Sequence, residues 1–413
     1  MSKKIHKGWI VTFAGIAINL ALGILYSWSV FKEAIIKNIN TGGEDAFKWD
    51  LAKLNDPYAI CVLSFAFSMT LAGRIQDQKG PSFTAKIGGL LVGAGFIIAS
   101  LSSNYYLWLL GFGLLGGMGI GFGYSAATPA ALKWFPASKT GLIAGLVVSG
   151  FGLAPVYIAP LASYLVNHYG LQRAMLFFGI AFLIFVSGVA FFLKNPPQGY
   201  IPEEKNTSKD GGKRPLSLDV PALEMLKTTK FYIIWTIYFI GAGAGLMVIG
   251  NISGLAKASM GESAFIAVAI MAIGNASGRV VAGIVSDKIP KSVTLFIILL
   301  FQSILMFTSR LIINDQAAVV TIILLATFIG FNYGTNLSLF PSFSKGFWGL
   351  KNFGLNYGIL MSAWGLGGFV FSRLSQTLYA NTGSHHLSFI IAGSSLALCL
   401  LLTIVLLEIK SMN

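Results

Sequence analysis

The sequence predicts an all-α membrane protein, with twelve transmembrane helices in two pseudo-symmetric six-helix bundles. Three observations carry that expectation. First, 55% of the 413 residues are hydrophobic, only 11% are charged, and the mean hydropathy is +0.74, whereas soluble chains average about 25% charged residues. Second, twelve apolar segments are long enough for a hydrocarbon core of about 30 Å, which takes about 20 helical residues to cross. Third, Lys and Arg sort by side. This composition excludes a soluble enzyme, a disordered scaffold and a coiled coil. It also excludes a nucleic-acid binder despite the net charge of +14, because phosphate recognition needs a solvated basic face.

The segments fall in order at 8–32, 56–74, 84–103, 105–131, 140–166 and 172–193, then 231–254, 263–284, 293–313, 317–343, 353–380 and 386–408. The first follows Met-Ser-Lys-Lys-Ile-His-Lys and exceeds the apolar core of a secretory signal, about 7–15 residues, so it is expected to be a retained span. With both termini placed in the cytoplasm, 20 of the 29 Lys and Arg residues fall on the inner side and 7 on the outer. That asymmetry is the positive-inside pattern. A hydrophilic stretch at 194–230, rich in proline and mixed charge, separates residues 1–193 from 231–413 and reads as a cytoplasmic linker between two bundles.

The halves echo each other. Gly73-Arg-Ile-Gln-Asp77-Gln-Lys-Gly80 follows span 2, and Gly283-Ile-Val-Ser-Asp287 follows span 8. A duplicated six-span unit is a transporter design in which the site lies between the halves near the midplane. The two cations left inside spans are Arg279 and Arg373. Arginine near a bilayer centre costs about 2.5–3.5 kcal/mol on insertion scales, and every acid is expected at a span end or in a loop. Arg279 therefore reads as facing either an anionic substrate, which its planar fork matches, or backbone carbonyls. Asn275 lies one turn away on the same face. Tyr26, Tyr124 and Tyr333 pair an apolar ring with a hydroxyl, and Phe151, Leu337, Phe340 and Ser362 are weaker wall candidates. Arg373 suits either snorkelling or an external vestibule.

Several features carry no chemistry. Cys61 and Cys399 sit in apolar runs and read as small buried hydrophobes. The histidines lie near the N-terminus or in outer loops, so neither a metal nor a cofactor is expected. Gly111-Phe-Gly-Leu-Leu-Gly116 follows no strand, so it reads as helix packing, not a nucleotide loop. No nucleophile–base pair lies in the spans, which argues against an enzyme.

The Gly73–Asp77–Gly80 stretch resembles the loop 2–3 signature of the Major Facilitator Superfamily, with departures at Gln78, Pro81 and Ser82. That resemblance implies a gating role for Gly73, Asp77, Gly80, Gly283 and Asp287. A narrower likeness is to the branch of oxalate:formate antiporters and monocarboxylate transporters. It rests on Lys7-Gly-Trp-Ile-Val11, Tyr26-Ser-Trp-Ser-Val-Phe31, Trp134-Phe-Pro136, Gly141-Leu-Ile-Ala-Gly145, Gly150-Phe-Gly152 and Asn352-Phe-Gly-Leu-Asn-Tyr-Gly358. In that branch an arginine at the place of Arg279 binds the substrate carboxylate, and Tyr26 and Tyr124 match aromatics around it. Asn275 stands where many monocarboxylate carriers have aspartate, and Trp364 where oxalate carriers have lysine. One cation suits a monoanion. The expectation is a secondary transporter of a small monocarboxylate, lactate or pyruvate in size, acting as a monomer in a bacterial inner membrane. Proton symport is favoured by the likeness, with Glu33, Asp56 or Glu262 as candidate proton carriers. Carboxylate exchange is the alternative that the missing span acid favours.

Overall fold

The computed structural model describes residues 7–43, 46–136, 139–197, 199–200, 219–286, 288–312, 318–349 and 351–411. Twelve long helices follow one another: α1 Lys7–Thr41, α2 Asp56–Lys79, α3 Pro81–Ser100, α4 Tyr105–Leu132, α5 Thr140–Tyr169 and α6 Leu171–Val189; then α7 Thr229–Ile249, α8 Phe265–Ser286, α9 Lys291–Ile312, α10 Val319–Trp348, α11 Phe353–Thr382 and α12 His386–Ser411. No strand occurs among the described residues.

The ends of these helices follow local chemistry. The Asn104 side chain accepts from the Tyr106 and Leu107 amides at the start of α4, and the Thr228 hydroxyl accepts from the Phe231 amide at the start of α7. Such caps satisfy amides that have no partner in the first turn. Gly80 and Gly170 take positive φ, +88° and +84°, where α2 and α5 stop, a conformation that costs glycine little. Pro81 then opens α3, with its missing amide harmless at that position.

Eleven of the helices are long and apolar enough to cross a membrane. The twelfth, α11, spans 30 residues but carries Asn356, Ser372, Arg373, Ser375 and Gln376. Four of those polar residues are buried, because α11 packs along α2. The apolar exposure sits elsewhere: Ile184 and Phe185 on α6, Ile297 and Ile304 on α9, and Leu398 and Leu401 on α12 are all exposed. An apolar rim of that kind suits lipid contact.

Two helix pairs form the seam between chain halves, α2 with α11 and α5 with α8. Glycines make both pairs close. A Cβ on Gly73 would lie 2.5 Å from the Gly354 carbonyl oxygen, and one on Gly283 would lie 2.5 Å from that of Gly141. The two motif glycines thus occupy equivalent places, one on each seam pair. Asp77 lies beside Gly354 across the same α2–α11 contact. Asp287 lies outside the described residues.

Several boundaries differ from the sequence expectation. The first helix runs nine residues past position 32, through a 3-10 turn at Gly23–Ser27. Lys32, expected among the outer loop cations, is therefore inside α1 and only 7% exposed. Glu33 lies within α1 and Asp77 within α2 for the same reason: polar last turns extend a helix beyond its apolar run. Span 7 instead stops at Ile249, and a separate short helix covers Ile252–Met260. Residues 201–218 of the linker lie outside the described residues. Its end docks on α10 and α11, where the Val220 amide donates to the Trp348 carbonyl and Asn356 Nδ2 donates to that of Val220.

The glycine contacts yield a test. Gly73→Ala and Gly283→Ala must each push a backbone away, at a cost of about 1–3 kcal/mol. The thermal midpoint of purified protein should fall in each variant. The two losses should add in the double variant within about 0.5 kcal/mol, as expected for separate sites. Unchanged midpoints would show that the seam has slack at these positions.

Candidate functional site

Arg279 is completely buried in the middle of α8. Its Nε donates to Asn275 Oδ1 at 3.0 Å, one turn back on the same helix. Its Nη1 donates to the Val148 carbonyl of α5. Its Nη2 donates to the Tyr26 hydroxyl of α1 at 3.2 Å. No acid among the described residues pairs with it. The guanidinium also lies over the rings of Tyr26 and Phe151, 5.8 and 5.9 Å from their centroids, in the range of a cation–π contact. An arginine carries five N–H donors. The three bonds leave one further N–H on each terminal nitrogen.

A hydroxyl chain extends from this point across the seam. The Tyr26 and Tyr333 hydroxyls lie 2.7 Å apart, and Trp364 Nε1 donates to Tyr333 Oη at 2.8 Å. Two phenolic protons share one bond between the rings, so one proton remains over. Aromatic rings close the layer: Tyr26 meets Phe151 edge-on at 4.9 Å, and Phe65 meets Trp364 at 4.7 Å. The chain Arg279–Tyr26–Tyr333–Trp364 therefore joins α8, α1, α10 and α11. The 3-10 turn at Gly23–Ser27 brings Tyr26 there, since Gly23 sits directly against the Phe151 carbonyl.

Two cavities of about 10 Å³ flank this layer, each about one water in size. Tyr26, Met271 and Asn275 line the first, and Tyr124, Thr128 and Tyr357 the second. The halves are thus closed on both sides of the arginine, an occluded arrangement.

The structure brings together Arg279, Asn275, Tyr26, Tyr333, Trp364 and Phe151, with Tyr124 just behind, 5.4 Å from Phe151. Leu337 is buried one turn from Tyr333 on α10. Ser362 does not join them. It accepts from Trp235 Nε1 at 2.9 Å, because two residues of helix turn it about 200° from Trp364. Phe340 stacks on Tyr238 at 3.8 Å, inside the second half. Phe65 and Val148 were not legible in the sequence: one is an ordinary core residue, and the other acts through its backbone.

A second polar layer ties the halves together nearer the end that the charge pattern predicts to be external. Lys32 Nζ donates to Asn251 Oδ1 at 2.7 Å and to Gln376 Oε1 at 3.3 Å. Arg373 does not snorkel; it pairs with Asp56 of α2, which also accepts from Tyr105 Oη at 2.5 Å. Glu33 pairs with Lys257 at 2.7 Å, and Lys37 with Glu262 at 3.6 Å. All of these ties join the first half of the chain to the second, apart from the Tyr105 bond.

The all-helical fold agrees with comparison to known proteins. Residues 8–372 match the family model of the Major Facilitator Superfamily. The chain belongs to that superfamily. It is therefore a membrane transporter. It is 28% identical to the uncharacterized MFS-type transporter YhjX of Escherichia coli (strain K12), over 87% of this chain and 85% of that protein. It is 25% identical to the oxalate:formate antiporter of Oxalobacter formigenes, over 87% and 81%. It is also 25% identical to monocarboxylate transporter 13 of Rattus norvegicus, over 94% and 86%.

Two outcomes follow for the outer layer. Asp56→Asn and Arg373→Gln should each speed thiol labelling of a cysteine placed at Ser253, by loosening the same contact. The double variant should label no faster than either single one, the signature of coupled residues; additive rates would mean that the pair does not act as a unit. His385, in the α11–α12 loop, contacts Ser375 and stacks on Tyr379. Burial first, then the charges of Lys32 and His386, push its pKa down to about 4. The native state thus holds it neutral, while an unfolded histidine protonates near 6.5. Its contribution to stability is present above about pH 6.5 and is lost as pH falls toward 4. Melting between pH 7 and 5 should be flatter for His385→Asn than for the natural chain, and equal slopes would refute this.

Proposed function

We propose that the protein carries a small monocarboxylate, lactate or pyruvate in size, across the membrane by alternating access. Arg279 is the anion-binding residue. One observation carries this reading: a fully buried guanidinium on the seam has no carboxylate partner among the described residues and keeps one N–H on each terminal nitrogen. Those two donors match a carboxylate bidentately. The surplus phenolic proton of the Tyr26–Tyr333 pair is a third donor, and Asn275 holds Nε and so orients the fork. Trp364 and Phe151 wall the remainder. The names of the antiporter and monocarboxylate relatives support the same substrate class.

The single cation favours a monoanion. In the rocking step Gly73, Asp77, Gly80, Gly283 and Asp287 serve the inner gate, and Arg373 with Asp56 the outer one. A monomer suffices for this cycle. The membrane is a bacterial inner membrane, with both termini in the cytoplasm.

For coupling, the first reading is proton symport. Exchange is the second reading, and a specific observation favours it. The acids expected as proton carriers, Glu33, Asp56 and Glu262, are paired with Lys257, Arg373 and Lys37. Symport needs one of those pairs to open and its acid to take the proton. In exchange, the carrier returns loaded because an unneutralised Arg279 opposes closure.

Labelled L-lactate uptake into proteoliposomes tests the proposal. Accumulation driven by an inward proton gradient supports symport. Uptake that ignores the gradient but requires internal carboxylate supports exchange. Arg279→Ala should lower uptake about 30-fold or more, in line with about 2–5 kcal/mol for one partner of a buried, hydrogen-bonded charge pair. Undiminished uptake in that variant would remove Arg279 from the site.

A further inference from the structure

Met271, Asn275 and Arg279 follow one another at helical spacing on one face of α8. Side chains on a helix lean toward its N-terminus, and that end of α8 is the one the charge pattern predicts to be external. The arginine fork therefore lies toward Asn275, as its Nε bond shows, and Met271 stands one turn further out. Both Asn275 and Met271 line the outer of the two water-sized cavities. Tyr26 lines it too, and Tyr26 and Asn275 are themselves bonded to the guanidinium. The other walls are apolar: Pro155 of α5, Ile249 and Ile252 on either side of the break after α7, and Val268, Met271 and Ala272 of α8.

This apolar wall is tight, and part of it belongs to the outer closure. Ile249, Ile252, Val268 and Met271 are all buried. A Cβ on Gly330 of α10 would lie 3.0 Å from Met271 Cγ, so Met271 has little room to retreat. The break between Ile249 and Ile252 holds Asn251, whose Oδ1 accepts from Lys32 Nζ and Asn55 Nδ2 of the first half. A group that pushes Ile249 or Ile252 outward therefore pulls on the ties that shut the outer side.

We infer that this cavity is the tail pocket of the substrate, a gauge for the length of the carbon chain beyond the carboxylate, with Met271 as the specificity-determining residue and Ile252 as the wall that couples it to closure. The inference rests on the reading of Arg279 as the carboxylate site. The void is about one water in size, which is room for a methyl group and little more. A longer chain overpacks the wall. A second charged group at the tail finds no partner there and is refused as well. Because Ile252 opens the short helix next to Asn251, an over-long chain acts on the closing step. Such an acid reaches Arg279 from outside, holds the outer ties apart and stays uncarried, an inhibitor in place of a substrate.

The test compares propionate with valerate, which has the same charge and two more methylenes. Initial uptake of each labelled acid into proteoliposomes is measured in the natural protein, Met271→Ala, Ile252→Ala and Met271→Leu. The natural protein should carry propionate about tenfold faster than valerate or more, since one surplus methylene in an apolar pocket costs about tenfold, and unlabelled valerate should inhibit propionate uptake. Both alanine variants should raise the valerate-to-propionate ratio about tenfold. Met271→Leu, which conserves volume, should leave it within twofold. The ratio is taken within one preparation, so a general loss of folded protein cancels. Valerate carried as fast as propionate by the natural protein, valerate that neither enters nor inhibits, or a ratio within twofold of the natural one in both alanine variants overturns the gauge while leaving the Arg279 reading intact. If the natural protein takes up neither acid, the carboxylate reading falls and the pocket falls with it.

Discussion

Everything at the centre of this molecule depends on one buried charge that meets no opposite charge among the described residues. Arg279 sits within α8, fully enclosed, and engages three of its five donors with a backbone carbonyl, an amide and a phenol. Placing an arginine there costs about 2.5–3.5 kcal/mol on insertion scales. The neutral partners offset part of that and cannot cancel the charge. Two of them, Val148 and Tyr26, belong to the other half of the chain. The residue that is hardest to bury is thus also the one that ties the halves together, so opening the seam and releasing the arginine are a single event.

The packing around it makes that event possible. Glycines bring α2 to α11 and α5 to α8 with backbone nearly touching backbone. Such contacts hold through shape, with few interlocking side chains to unthread. Specific polar ties concentrate instead at the outer layer, where Lys32, Glu33, Lys37 and Asp56 each reach across to the second half. On this account the inner contacts set how closely the halves approach, and the outer ties set which side stays shut.

Much of this was legible in the sequence because bilayer physics leaves few options. Twelve apolar runs, the Lys and Arg asymmetry and the paired Gly-x-x-x-Asp motifs led directly to the fold. Arg279 stood out because nothing cheap explains an arginine among Ala, Gly and Val. The boundary misses share a cause: apolarity locates lipid-facing helix and is blind to helix that ends in polar residues. Lys32 was assigned to a loop because Lys and Glu end the apolar run, yet the helix continues for nine residues. Ser362 was a weaker wall candidate, but helical geometry turns it away from Trp364 and toward Trp235. Arg373 was readable as a cation within a span, but its partner Asp56 lies 317 residues away, and no local pattern announces that. Val148 contributes a carbonyl, which every residue has.

The central claim is that Arg279 is a carboxylate site rather than a structural tie. Equilibrium titration of purified protein with L-lactate, by calorimetry, tests it most directly when the natural protein is compared with Arg279→Met. Methionine keeps the length of the side chain and removes the charge, and buried charges often yield to such replacements without loss of stability. The account predicts saturable binding to the natural protein and none to a variant that still melts cooperatively. Equal binding to both would contradict it and return Arg279 to the packing of the seam.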